Sequence, residues 1–182
     1  MRITFELEPA DIERFHAALA RTRRRSASAD EVDIIDAAKY ALDHLATADA
    51  PAYVRKRFGE VQRLIGMLED EAWALPAPER SEVVETLVYV SDPDDLIPDE
   101  IEVIGLLDDA IMIELLLRRL RHVRRAYADF CTYRASLAGG NNDETSRLCA
   151  ARQLAERRVA LQARMRRQGM HRTRGDREAA RA

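Results

Sequence analysis

The stretch from Leu106 to Leu117 is the feature that most restricts the fold of this chain. Its residues are apolar on nearly every side of a helix, rather than along one stripe. Such a helix needs neighbouring elements on all of its faces, so it is central in a bundle. The wider stretch 101–117 contains 4 carboxylates, which make spanning a bilayer very costly. The sequence therefore predicts a soluble helical bundle built around this segment.

Helical signals recur along the rest of the chain. Only 7 Gly and 6 Pro occur, and Ala, Leu, Arg and Glu are abundant, as is typical of helical proteins. We predict helices from about Asp30 (Ser28 or Asp30 as cap), over 52–73, 78–90 and 106–137, and from Asn142 or Asp143 to 169. Alternation over Arg2–Leu7 predicts a strand, followed by a helix opened at Pro9. The predicted fold class is all-α, a bundle of five to six helices with one short N-terminal β-strand.

The same periodicity predicts which side chains face the core. The inward positions have helical spacing, and the single Trp closes the helix over 52–73. These positions are Val32, Ile35, Ala38, Ala41, Leu42 and Leu45, then Tyr53, Phe58, Val61, Leu64, Ile65, Leu68 and Trp73, then Val83, Val84, Leu87 and Val88, then Leu148, Ala151, Ala155, Val159, Gln162 and Met165. Breaks in the pattern divide the chain into a strand-and-helix unit over 1–48, a helical core over 52–138 and an Arg-rich helix with a frayed tail over 141–182.

Charge is distributed unevenly along the chain. Residues 1–117 carry 12 Lys or Arg against 26 Asp or Glu, a net charge of −14, whereas residues 118–182 carry 17 Arg against 6 acids, a net charge of +11. Residues 81–117 contain 11 carboxylates and no basic residue. Adjacent segments of opposite charge can neutralise each other on folding, and we favour this interpretation over a binding surface.

The segment over residues 84–120 carries the most specific motif. Two prolines, a glycine and several acids fall in a fixed register over Ser91, Pro93, Asp95, Leu96, Ile97, Pro98, Asp99, Gly105, Asp108 and Asp109. This pattern resembles the YkvA-like family of small bacterial proteins, a family of unknown function, with one inserted acid, Asp92. The resemblance is strong over about 40 residues. It implies a compact helical domain of unknown activity, often associated with membranes in relatives.

The acids of this motif have three interpretations, of which a catalytic carboxylate pair is one; a cation site and a structural role are the others. Asp92, Asp95 and Asp99 on a proline-stiffened loop, with Asp108 and Asp109 on the following helix, have the oxygen ligands that Mg²⁺ or Ca²⁺ prefers. The spacing does not fit an EF-hand, and the lack of a nearby His argues against zinc. In the structural interpretation, which we favour, the acids cap helices and form turns, and Pro93, Pro98 and Gly105 shape the backbone.

Two further segments suggest nucleic-acid or lipid contacts. The order of strand and helices in the first 46 residues matches a ribbon-helix-helix DNA-binding dimer, but Glu6 and Glu8 lie where phosphates would approach. In the Arg-rich half, Arg118, Arg121 and Arg125 are candidate contacts to nucleic acid or anionic lipid. Few aromatic residues are interleaved with them, which disfavours base stacking.

The remaining reactive residues show no catalytic arrangement. Cys131 and Cys149 are the only cysteines and have no metal-ligand spacing, and the 4 histidines are dispersed. No signal peptide is recognisable, and Arg greatly outnumbers Lys, a bias typical of GC-rich bacteria. We therefore predict a cytoplasmic protein, with a peripheral position at the inner membrane left open. The expected function is that of a non-enzymatic interaction or accessory protein.

Several alternatives stay open at this stage. One is a divalent-cation-dependent enzyme or sensor that uses the acidic loop. Another is a DNA-binding dimer that uses the N-terminal ribbon. The partner is expected to be a protein of unknown identity, and a homo-oligomer and a peripheral membrane contact remain alternatives. No cofactor is assigned beyond Mg²⁺ or Ca²⁺ in the cation interpretation.

Overall fold

A computed structural model of the chain describes residues 8–10, 13, 17, 20, 21, 24, 29–44, 51–90, 107–137 and 143–179. Six helices have defined bounds within these ranges. They are α1 (Glu31–His44), α2 (Ala52–Glu69), α3 (Ala77–Val90), α4 (Leu107–Arg119), α5 (Arg121–Leu137) and α6 (Glu144–Ala179). The fold class is therefore all-α, as predicted. The described positions over 9–24 are also helical, which agrees with a helix opened at Pro9.

The predicted N-terminal strand is not among the elements that the structure describes. No strand occurs within the ranges given above, and residues 2–7 lie outside them. The ribbon proposed for DNA binding also falls on those residues. No helix in the described ranges combines the length and the apolar character needed to cross a membrane.

Acidic residues cap the helices that the sequence predicted to be capped. The amide of Glu31 donates to the Asp30 carboxylate at 2.6 Å, and the amide of Ile34 donates to the Asp30 carbonyl at 3.1 Å. At the start of α6, the amide of Ser146 donates to Asp143 Oδ1 at 2.6 Å. This hydrogen bond lowers the pKa of the Asp143 carboxyl, because it stabilises the charged form.

The prediction that α2 extends to Trp73 was wrong by four residues. The helix ends at Glu69, and the amides of Trp73 and Ala74 both donate to the Asp70 carbonyl at 3.0 Å. Ala74 has a φ of 45°, in the left-handed region where helices commonly end. An alanine there costs about 1 kcal/mol, so this turn depends on its tertiary contacts.

The predicted helix over 106–137 is two helices, α4 and α5, separated at Leu120. Neither proline nor glycine lies at this junction, so local propensity does not signal it. Leu120 itself is buried. The sequence therefore predicted helical residues on both sides of Leu120 but not the boundary between the two helices.

The chain divides into two compact units that are discontinuous in sequence. Unit 1 comprises residues 1–65 and 81–117, and unit 2 comprises residues 66–80 and 118–182. Each unit combines two stretches of the chain that are separated in sequence. The linear boundaries at 1–48, 52–138 and 141–182 stay a prediction.

In unit 1, α4 is largely buried, as its sequence predicted. Between Ala110 and Leu117 no residue is exposed, and Met112 and Leu116 cluster with Tyr89 of α3. Arg57 of α2 lies with its Nε 2.6 Å from Glu114 Oε2, and both side chains are largely buried. The one carboxylate within this apolar stretch is therefore compensated by a cation inside the same unit.

Unit 2 packs α5 and α6 around Trp73, which is fully buried as predicted. The Trp73 ring lies 5.0 Å from that of Phe130 and 5.8 Å from that of Tyr127, measured between centroids. The buried amide of Gln162 donates to the carbonyls of Trp73 at 2.8 Å and Ala74 at 3.1 Å. These bonds fix the turn after α2 against α6.

Most of the predicted core positions are buried, but several are not. Val32, Tyr53, Leu148, Ala151, Ala155 and Val159 are exposed. The exposed positions on α6 lie in its first half. They continue the helix face that carries the buried residues Gln162 and Met165, but no other element covers this part of the face. Periodicity identifies a face, but only the neighbouring elements determine how far along the helix that face is buried. The helix also continues past Gly169, the predicted end, to Ala179.

Candidate functional site

The acidic motif lies largely outside the described residues. This applies to Asp92, Asp95 and Asp99 and to the structural positions Pro93, Pro98 and Gly105. Asp108 and Asp109 are the second and third residues of α4, in its first turn. Among the described residues, no three His, Cys, Asp or Glu side chains come together as metal ligands. Cation binding by the motif stays a prediction.

The three arginines singled out in the sequence line one cavity in unit 2. Arg118 lies in the last turn of α4, Arg121 begins α5, and Arg125 follows one turn later. We call this space the arginine cavity; its volume is about 380 Å³. It is lined by Arg118, Arg119, Arg121, His122, Arg125 and Gln168.

Helical spacing explains why these side chains share a cavity. Along α5, Arg121 and Arg125 are four residues apart, so they lie on the same face. Arg118 precedes Arg121 by three residues, across the junction at Leu120. Gln168 reaches the same space from α6, which packs against α5. The cavity is therefore lined by residues 118 and 119, by the start of α5 and by α6, all of which belong to unit 2.

Gly169 allows α6 to approach the cavity wall closely. A Cβ atom at this position would lie 3.1 Å from His122 Nε2, tighter than nearly all real contacts of that kind. Glycine inside a helix costs about 1 kcal/mol relative to alanine. Gly59 and Gly66 of α2 have no heavy atom within 4 Å of the same constructed position. Of these three helical glycines, Gly169 is therefore the one at which a side chain, that of His122, lies close to where a Cβ would be.

The lining of the arginine cavity is uniformly positive or neutral. Four guanidinium groups contribute to it, and none of the six residues is acidic. All four arginines are exposed to solvent. Neither Arg121 nor Arg125 forms an ion pair with another described residue. The guanidinium group is planar and donates paired hydrogen bonds to phosphate or carboxylate, so this lining suits an anion.

Other arginines of unit 2 contact carboxylates of the same unit. Arg134 Nη1 donates to Asp70 Oδ2 at 2.8 Å, and the Asp70 side chain is 9% exposed. Arg164 donates to Asp129. On α6, Arg152 Nε donates to Glu156 Oε1 at 3.0 Å in an exposed pair. These pairs use acids of unit 2 itself, and neutralisation between residues 81–117 and the basic segment after them stays a prediction.

Asp70 is the centre of a second polar group, which we call the Asp70 cluster: Asp70, Tyr127, Cys131 and Arg134. The Tyr127 hydroxyl donates to Asp70 Oδ2 at 3.0 Å, and the Trp73 amide donates to Oδ1 at 3.2 Å. Burial, followed by hydrogen bonding with Cys131 and Asp70, raises the pKa of Tyr127 above its ordinary value. These hydrogen bonds hold α5 against the turn after α2. The Asp70 cluster therefore has a structural role.

Sequence reasoning found part of the cavity and missed the rest. His122 stood out only as an isolated histidine, although its spacing from Arg118 and Arg125 already placed it near their face. Arg119 was one of several arginines without distinction. Gln168 and Gly169 carry no local signal, because their role depends on the packing of α6 against α5.

Comparison with known proteins identifies one similarity. Residues 82–115 match a family model described as a protein of unknown function (DUF1232). The match runs from α3 through the acidic motif into α4, and it ends three residues before Arg118. The curated proteins and the solved structures contain no match to the chain. The comparisons therefore indicate a domain of unknown function over the acidic segment and leave the arginine cavity unassigned.

Proposed function

We propose that the protein is an accessory protein that binds an anionic partner through the arginine cavity, without catalysing a reaction on it. The observation that carries this proposal is the placement of four arginines around one concave space whose lining contains no carboxylate. Elsewhere in unit 2, Arg134 and Arg164 lie against Asp70 and Asp129. Arg121 and Arg125 form no such ion pair with a described residue, and this contrast supports a role for these two arginines in binding a partner.

The chemistry of the side chains also supports binding. Arginine stays charged at every physiological pH, and its donors suit the paired oxygens of phosphate and carboxylate groups. Nucleophilic or acid–base catalysis needs a nucleophile or base with a positioned partner. The six lining residues include one histidine and no serine, cysteine, aspartate or glutamate. The lining is therefore suited to holding an anion more than to transforming it.

Calorimetric titration of the full-length chain with pyrophosphate, a compact polyanion, tests the proposal. We expect saturable binding at one site, and a loss of affinity of at least about tenfold in the double variant Arg121→Gln/Arg125→Gln, since each hydrogen bond from a charged donor contributes about 1.5–3 kcal/mol. Both residues are exposed, so the variant should remain folded.

A variant with the same charge change provides the control. Arg147→Gln/Arg152→Gln also removes two exposed arginines, and its nearer position lies 16 residues before Gln168, about 24 Å along α6. This variant should bind pyrophosphate as the unmodified protein does. Equal loss in the two variants would show that net charge alone attracts the anion, and absence of binding would refute the proposal.

A further inference from the structure

We infer that an exposed line of apolar side chains on α6 is a dimerisation surface, on which a second copy of this chain packs its own α6 in the antiparallel direction. The inference concerns a surface outside the arginine cavity and goes beyond the proposed function. Three apolar side chains define the surface, and we call them the α6 stripe. They are Leu148, Val159 and Met170.

The α6 stripe is regular and open to solvent. Leu148 is 67% exposed, Val159 is 59% exposed and Met170 is 64% exposed. Each follows the previous one by 11 residues, which is about three turns of an α-helix. The three side chains therefore lie on one line, about 33 Å long. Among the described residues of unit 2, no other large apolar side chain is exposed.

The stripe lies at the edge of the α6 face that is buried within unit 2. Leu161 and Met165 belong to the buried part of that face. At 3.6 residues per turn, Val159 and Met165 are separated by about 120° around the helix. Met170 follows the buried Met165 and is still exposed, so the exposure is not restricted to the uncovered first half of α6. The packing of unit 2 therefore leaves the whole stripe open to a partner.

The order of residues along the stripe identifies a second copy as that partner. A two-fold axis at Val159 places the Val159 side chains of two antiparallel helices opposite each other. The same axis places Leu148 opposite Met170 of the second copy, and Ala155 opposite Ala163, where small side chains allow close approach. An interface between two identical copies has to be complementary to itself. This stripe meets that condition, because large and small side chains alternate identically in both directions.

The charges beside the stripe also fit a second copy. Glu156 accepts a hydrogen bond from Arg152 Nε at 3.0 Å, and Arg166 forms no ion pair with another described residue. Around the axis at Val159, Arg166 of one copy lies level with Arg152 of the other and one helical turn from its Glu156. In the dimer, each Glu156 carboxylate therefore lies between two guanidinium groups that belong to different copies.

A membrane surface fits the α6 stripe less well than a second copy does. A helix that lies in a membrane interface buries a broad apolar face among the lipids. Here the large apolar side chains are three turns apart, and Arg152 and Arg166 lie between them on nearly the same line. Two helices that pack together need only a narrow stripe, because they touch along a line.

The small size of the surface sets the expected strength of the dimer. From Leu148 to Met170 the stripe offers about one contact residue per turn, which makes about seven residues per copy. A standard interface has about 20–30 residues on each side. The dimer should therefore be weak and in rapid exchange with the monomer, and it should form only at high protein concentration.

Sedimentation equilibrium of the full-length chain tests the inference. The mass should rise from 20.7 kDa toward twice this value as the concentration increases to about 1 mM. Val159→Asp should raise the dissociation constant at least about tenfold, because apolar contacts are lost and two carboxylates meet at the axis. Val32→Asp is the matched control, since Val32 of α1 is 64% exposed, and it should associate as the unmodified protein does.

Three outcomes of this experiment would overturn the inference. One is a monomer mass for the unmodified protein at every concentration. Another is equal association of Val159→Asp and the unmodified protein. The third is an equal loss in Val159→Asp and Val32→Asp, which would assign the effect to net charge. Circular dichroism should show that both variants keep the helix content of the unmodified protein, because both positions are exposed.

Disulfide trapping tests the antiparallel register. The exposed Cys149 is first changed to Ser, and this background should give no covalent dimer on mild oxidation. Adding Val159→Cys should give one, because the two thiols meet at the axis. Adding Leu148→Cys should not, since the two thiols lie about 33 Å apart, far beyond the reach of a disulfide. Leu148→Cys together with Met170→Cys should restore the covalent dimer. Trapping by Leu148→Cys alone that equals trapping by Val159→Cys would overturn the antiparallel arrangement.

Discussion

The Asp70 cluster and the arginine cavity are both built on α5, but their guanidinium groups have different surroundings. Arg134 contacts a carboxylate that is itself 9% exposed and that also accepts bonds from Tyr127 and the Trp73 amide. The cavity arginines are exposed and share a lining without acids. The same residue type, within one helix, therefore stabilises the fold at one end and presents charge to solvent at the other.

The largest expected effect is on the stability of the Asp70 cluster. Asp70→Ala removes the acceptor of two side-chain donors and one backbone amide, and should lower the free energy of unfolding by about 2–3 kcal/mol. Chemical denaturation measures this effect. Asp129→Ala, in the half-exposed pair with Arg164, is the matched control and should cost about 1 kcal/mol or less. Equal costs would mean that Asp70 is not the structural centre that its contacts indicate.

Tyr127 should give the cluster a dependence on alkaline pH. Its pKa is raised in the folded state, so its contribution to stability is complete below about pH 10, the pKa of an ordinary tyrosine, and is lost as the pH rises through the folded-state value. Tyr127→Phe should cost about 1 kcal/mol near neutral pH and should lack this part of the alkaline decline. Denaturation midpoints between neutral and strongly alkaline pH provide the measurement. The exposed Tyr40, changed to Phe, should keep the decline.

Glycine substitutions compare an open helix position with one beside the cavity. Gly59→Ala should raise the free energy of unfolding by about 0.5–1 kcal/mol, because alanine favours the helix and restricts the unfolded chain. Gly169→Ala should gain less than this, since the new methyl group meets His122. Thermal or chemical denaturation of both variants decides the matter. An equal gain would mean that α6 has room at this position.

The other end of α4 offers a smaller test. The interpretation of these acids as helix caps and turns, made from the sequence, predicts that Asp109→Asn lowers the free energy of unfolding by about 0.3–1 kcal/mol, the usual contribution of an acid in a first helical turn. Under our favoured interpretation, millimolar Mg²⁺ or Ca²⁺ should not shift the melting temperature of chelator-treated protein. A cation-dependent shift that disappears in Asp109→Asn or Asp95→Asn would instead establish a metal site in the acidic motif.

The smallest expected change in stability is at the cavity itself. Arg121→Gln/Arg125→Gln should alter the free energy of unfolding by about 0.5 kcal/mol or less, because both side chains are exposed. Differential scanning fluorimetry without ligand measures this. A loss comparable to that of Asp70→Ala would make these arginines structural and remove the contrast with the Asp70 cluster.

Local sequence signals determined the helices and much of the core. Asp30 and Asp143 cap α1 and α6 because a carboxylate accepts the amides that a helix start leaves unpaired. The all-round apolar character of α4 predicted its burial, since such a helix has no face suited to water. Arg118, Arg121 and Arg125 were named as possible contacts to nucleic acid or lipid from charge alone, although internal neutralisation was the favoured interpretation.

Tertiary structure decided what these local signals leave undetermined. The covered and uncovered halves of α6 and the approach of Gln168 and Gly169 to α5 depend on contacts between residues distant in sequence. The spacing of apolar residues is the same along the whole length of a helix, so it does not indicate where a neighbouring helix begins or ends. The sequence by itself therefore determined that this chain forms helices with an acidic and a basic half. Only the packing of α5 and α6 within unit 2 decided that Arg134 meets the carboxylate of Asp70 and that Gln168 lines the same cavity as Arg121 and Arg125.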